Sequence, residues 1–222
     1  IREETLQFAR LCVSASEQTG DHARKLAARF FLGLVSVLQG QASVGAQELV
    51  TALRLAERSG DPIQQARCLT YLDLAARIRS LVDETAAYTR RAAEVSEKAG
   101  AAEYVAAAHA NRAWLALRRA DFMSALEHAR LALGIWQGNL ALVFPLQWMA
   151  LLPGVEAALR LERLDLAVSH ATGLVHPRQQ PLPGAAADAV SRALRAWESQ
   201  DSTATLTSLN HALQCLHRTG YR

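Results

Sequence analysis

The chain has 222 residues, 50% of them hydrophobic, and a mean hydropathy of +0.02, which excludes a disordered chain and is enough to bury a substantial core. Alanine and leucine dominate, aromatics make up 6% and β-branched residues are sparse, so the composition points to an all-α protein. The +3 charge, from 24 basic and 21 acidic residues, is scattered through pairs such as Arg24-Lys25, Arg90-Arg91 and Arg118-Arg119, without the clustered face that nucleic-acid binding needs.

Apolar spacings of three and four, interrupted at Gly, Asp and Pro, predict about eleven helices, at 2–18, 21–38, 42–58, 62–80, 83–99, 101–119, 121–137, 141–161, 164–175, 184–199 and 201–218. One class of break ends a helix on glycine, at Gly20, Gly60 and Gly100, where a left-handed C-cap is expected. The other class joins two helices around Gly40, Val82-Asp83, Ala120-Asp121, Leu164-Asp165 and Gln200-Asp201, with the aspartates expected as N-caps. The most apolar stretch, Leu140 to Val155, carries Pro145, Gln147 and Pro153 and falls short of the roughly 20 residues that cross a bilayer, so it reads as a buried helix. Between residues 176 and 183, Pro177, Pro181 and Pro183 exclude helix and predict an ordered, extended strap.

A forty-residue beat underlies this order. Gly20, Gly60, Gly100 and Gly220 share one phase; Cys12, Ala52, Ala92, Ala132, Thr172 and Ala212, all small, share another. A stack of helical hairpins requires small residues wherever neighbouring helices come closest, and a single irregular core does not. We therefore expect one domain over 1–222, a right-handed superhelical solenoid of antiparallel hairpins. The first helix has the phase of a second half-repeat, and the chain opens on Ile1, so a fragment of a longer polypeptide is expected. Cys12, Cys68 and Cys215 are odd in number and sit in apolar runs, which suits reduced structural thiols and a cytoplasmic setting.

Asn111-Arg112-Ala113-Trp114, then Ala120-Asp121-Phe122, then Ala125, Ala129 and Ala132 resemble tetratricopeptide repeats, and Gln200-Asp201, Thr205, Leu209 and Ala212 repeat the second half of the pattern. The period of forty in place of thirty-four, and Arg112 where the family prefers leucine, are departures. A narrower resemblance rests on Ile135-Trp136-Gln137-Gly138-Asn139, Phe144-Pro145-Leu146-Gln147-Trp148, Gln179-Gln180 in the strap and the closing Gly220-Tyr221. These are similar to the C-terminal repeat region of large bacterial signal-transduction ATPases joined to nucleotide cyclase or LuxR-type DNA-binding domains. The resemblance implies a sensor or docking arm whose chemistry lies in other domains.

No Gly-rich phosphate loop is present, so no nucleotide cofactor is expected. His211 and Cys215 are four apart, as in a metal site, but no second ligand pair is near in sequence. His109, His128 and His170 stand isolated on their helices with no nucleophile at a telling spacing, so neither a metal site nor an enzyme is expected. Chaperone-type carboxylate clamps need paired asparagines and lysines, and this chain has Asn111, Asn139 and Asn210 with Lys25 and Lys98 alone.

In the resembled fold, the first helix of each hairpin lines a concave groove. A strict forty-residue register puts Phe30 and Leu34, Arg67, Leu74 and Arg77, Trp114 and Leu117, Gln147, and Leu194 and Trp197 on that groove. The stripe is mostly apolar and suits a partner segment, from another protein or from other domains of the same polypeptide. Packing between hairpins is the competing reading for each residue. The expectation is a non-catalytic interaction or sensor arm of a cytoplasmic signalling ATPase. The alternatives are a small-molecule sensor reported by the groove tryptophans, and a structural oligomerisation arm. A homodimer could form through a first helix left short of a neighbour, at Leu6, Phe8, Leu11 and Ala15.

Overall fold

The computed structural model of the chain describes residues 3–138 and 145–221. Among the described residues there are eleven α-helices: α1 (Glu3–Glu17), α2 (His22–Leu38), α3 (Ala42–Ser59), α4 (Pro62–Ile78), α5 (Val82–Ala99), α6 (Ala102–Arg118), α7 (Phe122–Gly138), α8 (Trp148–Arg160), α9 (Leu164–Leu174), α10 (Gly184–Glu198) and α11 (Ser202–Arg218). The protein is all-α, and consecutive helices pack as antiparallel pairs in a helical repeat array. The chain divides into two compact units, Ile1–Val105 and Ala106–Arg222, with the division inside α6.

In the first unit each helix packs on its neighbour in sequence, and α2 also touches α4. Leu6, Ala9 and Val13 of α1 lie against Ala28, Leu32 and Val35 of α2. The α2–α3 pair crosses closely: a Cβ built on Gly45 would lie 2.6 Å from the Gly33 carbonyl oxygen, and one on Gly33 would lie 2.6 Å from Leu49 Cγ. In the second unit α7 to α11 pack in sequence, and α11 also reaches α8 and α9. Ala116, Ala125 and Ala157 form a small-residue core there, with Leu117, Phe122 and Leu126 around it.

The turns explain the beat. The N–H of residues 41, 61, 81, 101, 121, 163, 201 and 221 donates to the carbonyl five residues back, closing a Schellman motif at each helix end. The residue before each of these donors sits in the left-handed region in every case: Gly40, Gly60, Ser80, Gly100, Ala120, Glu162, Gln200 and Gly220. Gly20 is a departure from expectation, because its φ is not in that region; α1 ends at Glu17, and Thr19 N–H bonds back to Ser16 instead.

Asp21, Asp61, Asp121 and Asp201 each accept backbone N–H groups as N-caps. Asp83 and Asp165 do not. Their helices begin one residue earlier, at Val82 and Leu164, so these carboxylates fall inside the first turn, where the positive end of the helix dipole still favours them.

Two further expectations are corrected. The eighth helix starts at Trp148, since 145–147 form a turn; the expected start at 141 lies outside the described residues. The strict register also slips by two there, because the left-handed residue is Glu162 where the beat gives 160, and the beat returns at Gln200. Ala167, Ala171 and Leu174 accordingly take the buried places of Ala125, Ala129 and Ala132, while Thr172 faces solvent.

Candidate functional site

The residues expected to line a groove separate by burial. Phe30, Leu74, Arg77 and Trp114 are buried, Leu34, Arg67, Leu117 and Leu194 are half-buried, and Trp197 is exposed. Gln147 is not on a helix face at all: with the register slipped by two, it becomes the residue before α8. Phe30 shows what most of this stripe does in the first unit. Its ring meets Tyr71 edge-on at 5.4 Å between centroids, and the Arg67 guanidinium lies 3.9 Å over it, so these side chains fasten α2 to α4.

Arg77 is fully buried and shares α4 with Asp73, also fully buried and four residues earlier. Burial pulls the guanidinium down to about 9 while the Asp73 charge opposes it, so Arg77 stays charged at neutral pH. Thr89 of α5 donates its hydroxyl to Asp73 Oδ2 at 2.7 Å. This charged node holds the α4–α5 hairpin from within. The docking role expected for Arg77 gives way to this one, which Asp73 and Thr89 share; the signal in the sequence is an aspartate one turn before an arginine, set among Leu72, Leu74, Ala75 and Ala76.

The open apolar surface lies at α1. Leu6 packs inward, but Phe8 and Leu11 are 61% and 68% exposed, and Ala15 is also exposed. Beside this stripe is a cleft of about 490 Å³ lined by Cys12, Ala15, Ser16 and Thr19 of the α1 end and by Arg24, Ala27, Ala28 and Phe31 of the α2 end. Arg24 holds an exposed ion pair with Asp21 at 3.1 Å, which costs little to rearrange. Among the three thiols, Cys12 is half-exposed, whereas Cys68 and Cys215 are buried. Burial pushes the Cys68 thiol up to about 12, which leaves it unreactive.

In the second unit the histidines are not all isolated, contrary to expectation. His109 of α6 and His128 of α7 bring their Nδ1 atoms to 3.2 Å, so one ring donates and the other accepts. Burial and the nearby Arg112 hold His128 below its ordinary 6.5. His170, half-buried, has its ring against Gly154, and burial lowers it as well. His211 Nδ1 accepts from Arg192 at 3.3 Å, which leaves its Nε2–H facing Cys215 Sγ at 3.6 Å, while His217 pairs with Glu156 of α8 at 3.5 Å. Among the described residues no group of three or more His, Cys, Asp or Glu is arranged to hold a metal ion, and no helix is long and apolar enough to cross a membrane.

The strap and the Trp148 turn, separate in sequence, come together. Trp148 N–H donates to Gln179 Oε1 at 3.0 Å, its indole Nε1–H donates to Gln180 Oε1 at 3.2 Å, and Gln180 N–H donates to the Pro145 carbonyl at 2.8 Å. Tyr221 stacks obliquely on Trp148 with centroids 4.8 Å apart. Asn139 and Phe144, which belong to the same sequence pattern, lie outside the described residues. No family model matches the chain, and no curated protein is detectably similar to it.

Proposed function

We propose that this chain is a non-catalytic protein-interaction module whose docking surface is the α1 stripe and the α1–α2 cleft, and not the stripe of first-helix residues. The observation that carries the reading is the contrast in exposure: Phe8 and Leu11 stand in solvent beside an apolar cleft, while Phe30, Leu74, Arg77 and Trp114 are consumed by packing. The tetratricopeptide resemblance, with its likeness to the repeat arms of bacterial signalling ATPases, supports a role as a sensor or docking arm within a larger cytoplasmic polypeptide. In that role, occupancy of the cleft biases the pitch of the repeats and so the attached output domains.

A photo-reactive phenylalanine analogue at position 8 tests the site. It is expected to cross-link a defined partner segment, and the yield should fall at least tenfold with Leu11→Glu, while the same analogue at exposed Leu206 of α11 should capture none of it. Equal capture from both positions overturns the reading. A small apolar effector is the second reading, favoured by a cleft volume within the range of ligand pockets. The two differ in footprint: a protein segment shields Phe8, Leu11 and Cys12 together, and a small molecule shields Cys12 alone. The wider role fails if removing the repeats from the whole polypeptide leaves its output unchanged.

A further inference from the structure

We propose that the α1–α2 cleft seats an amphipathic helix running antiparallel to α1, built like α2 but apolar where α2 carries Arg29. The inference rests on the docking reading above and names its occupant. The template is internal. On the forty-residue beat Phe8, Leu11, Cys12 and Ala15 of α1 occupy the places of Glu48, Thr51, Ala52 and Leu55 of α3. Likewise Arg24, Ala27, Ala28 and Phe31 of α2 occupy those of Gln64, Arg67, Cys68 and Tyr71 of α4. The two walls of the α1–α2 cleft thus recur, one repeat later, as α3 and α4.

There, one helix closes both walls. That helix is α2: Arg29 Nη1 reaches Glu48 Oε2 of α3 at 2.8 Å, and Phe30 meets Tyr71 and Arg67 of α4 at 5.4 and 3.9 Å. With these contacts made, Ala52 and Cys68 are buried completely, whereas Cys12, in the place of Ala52, is half-exposed.

The substitutions between the two sets of walls specify the occupant. Phe8 stands where Glu48 takes the arginine, so the occupant is apolar at that position. Phe31 stands where Tyr71 takes the Phe30 edge, so an aromatic side chain is retained one residue later; Ala27 in place of Arg67 leaves that ring without a cation and gives it more room. Glu4, Phe8, Leu11 and Ala15 fall on one face at helical spacing, with Arg24 lining the opposite end of the cleft. An antiparallel helix would bring its N-terminal turn to Arg24 and its C-terminal turn to Glu4. Acidic residues in its first turn and basic residues in its last complement both these charges and its own dipole.

Cys12 provides the readout. A second copy of residues 22–40 bearing Arg24→Glu, Lys25→Glu, Arg29→Leu and Gln39→Lys, which supplies the first-turn acids and the basic end that α2 lacks, is joined ahead of the whole chain, so that Ile1 follows Gly40 in the register that Gln41 keeps. Alkylation of Cys12 is expected to slow at least tenfold relative to the unfused chain, and Phe8→Glu in the fused chain is expected to restore the rate. An unchanged rate, or equal shielding by a scrambled helix of the same composition, overturns the proposal. So does shielding in the unfused chain that grows with protein concentration alongside a doubling of mass in sedimentation, which makes a second copy the occupant. If the joined helix leaves Cys12 open while the cross-link at position 8 still captures a partner, the docking reading stands and only the helical occupant falls.

Discussion

Between α2 and α6 each joint is closed by local backbone hydrogen bonds of one repeated kind, whereas in the second unit the passage from α9 to α10 is held by long-range bonds, two between glutamine side chains and Trp148 and one from the Gln180 N–H to the Pro145 carbonyl. A Schellman turn fixes the angle between two helices that meet within three residues, and it works with Gly, Ser, Ala, Glu or Gln at the left-handed position. The strap spans too many residues for such a turn. Its place is set by two glutamines that satisfy the Trp148 backbone and indole N–H groups, backed by the Tyr221 ring. A regular beat therefore needs small local signals, while an interruption of it needs specific long-range ones.

The sharpest way to break the first unit is through its interior charge. Asp73→Ala leaves Arg77 buried without its counter-charge and Thr89 without its acceptor, an expected loss of about 3–5 kcal/mol in chemical denaturation. The paired replacement Asp73→Leu with Arg77→Met removes both ions and is expected to recover most of that loss. No recovery would mean that the node contributes net stability as an ion pair.

The matching break in the second unit is Gln179→Ala. It strips the buried Trp148 N–H of its acceptor, an expected cost of about 1–3 kcal/mol, seen as faster proteolysis in the strap and a shifted Trp148 emission. The second unit should also be the acid-sensitive one. His128 and His170 titrate below 6.5 in the folded chain, so in acid the unfolded state binds more protons and stability falls as pH drops through 6.5. His170→Leu should flatten that slope in melts between pH 7.5 and 5.5, and an unchanged slope would show that the His170 ring is hydrated in solution.

Helix number and phase were readable in the sequence because they depend on neighbours within about five residues. Leu38-Gln39-Gly40 and Asp61-Pro62 carry their turn geometry in their own side chains. The two-residue slip at α8 is already carried by the expected break before Leu164-Asp165, but a strict forty-residue register passes over it because the beat resumes at Gln200. The site was harder still. Arg77 and Phe8 are each a residue type whose role depends on what packs over it, and a helical wheel cannot tell a cation facing a groove from one enclosed with Asp73. The strap partners were picked out as a pattern, but their convergence on Trp148 depends on pairings more than thirty residues apart.

The smallest effect tests the claim that the joints are interchangeable. Ala120 sits at φ 58° and Gly60 at φ 68° in equivalent turns, and nothing lies within 4 Å of a Cβ built on Gly60. A change at Gly60 is then conformational, without a packing term, and Ala120 is exposed. Ala120→Gly should stabilise by about 0.5–1 kcal/mol through relief of the left-handed strain, less the chain entropy that glycine loses on folding, and Gly60→Ala should destabilise by a similar amount. Equal and opposite shifts in the denaturation midpoint would show that the two classes of joint are one motif. A markedly larger loss at Gly60 would mean that the joint from α3 to α4 is under a constraint that the joint from α6 to α7 escapes. The forty-residue beat would then contain two kinds of turn after all.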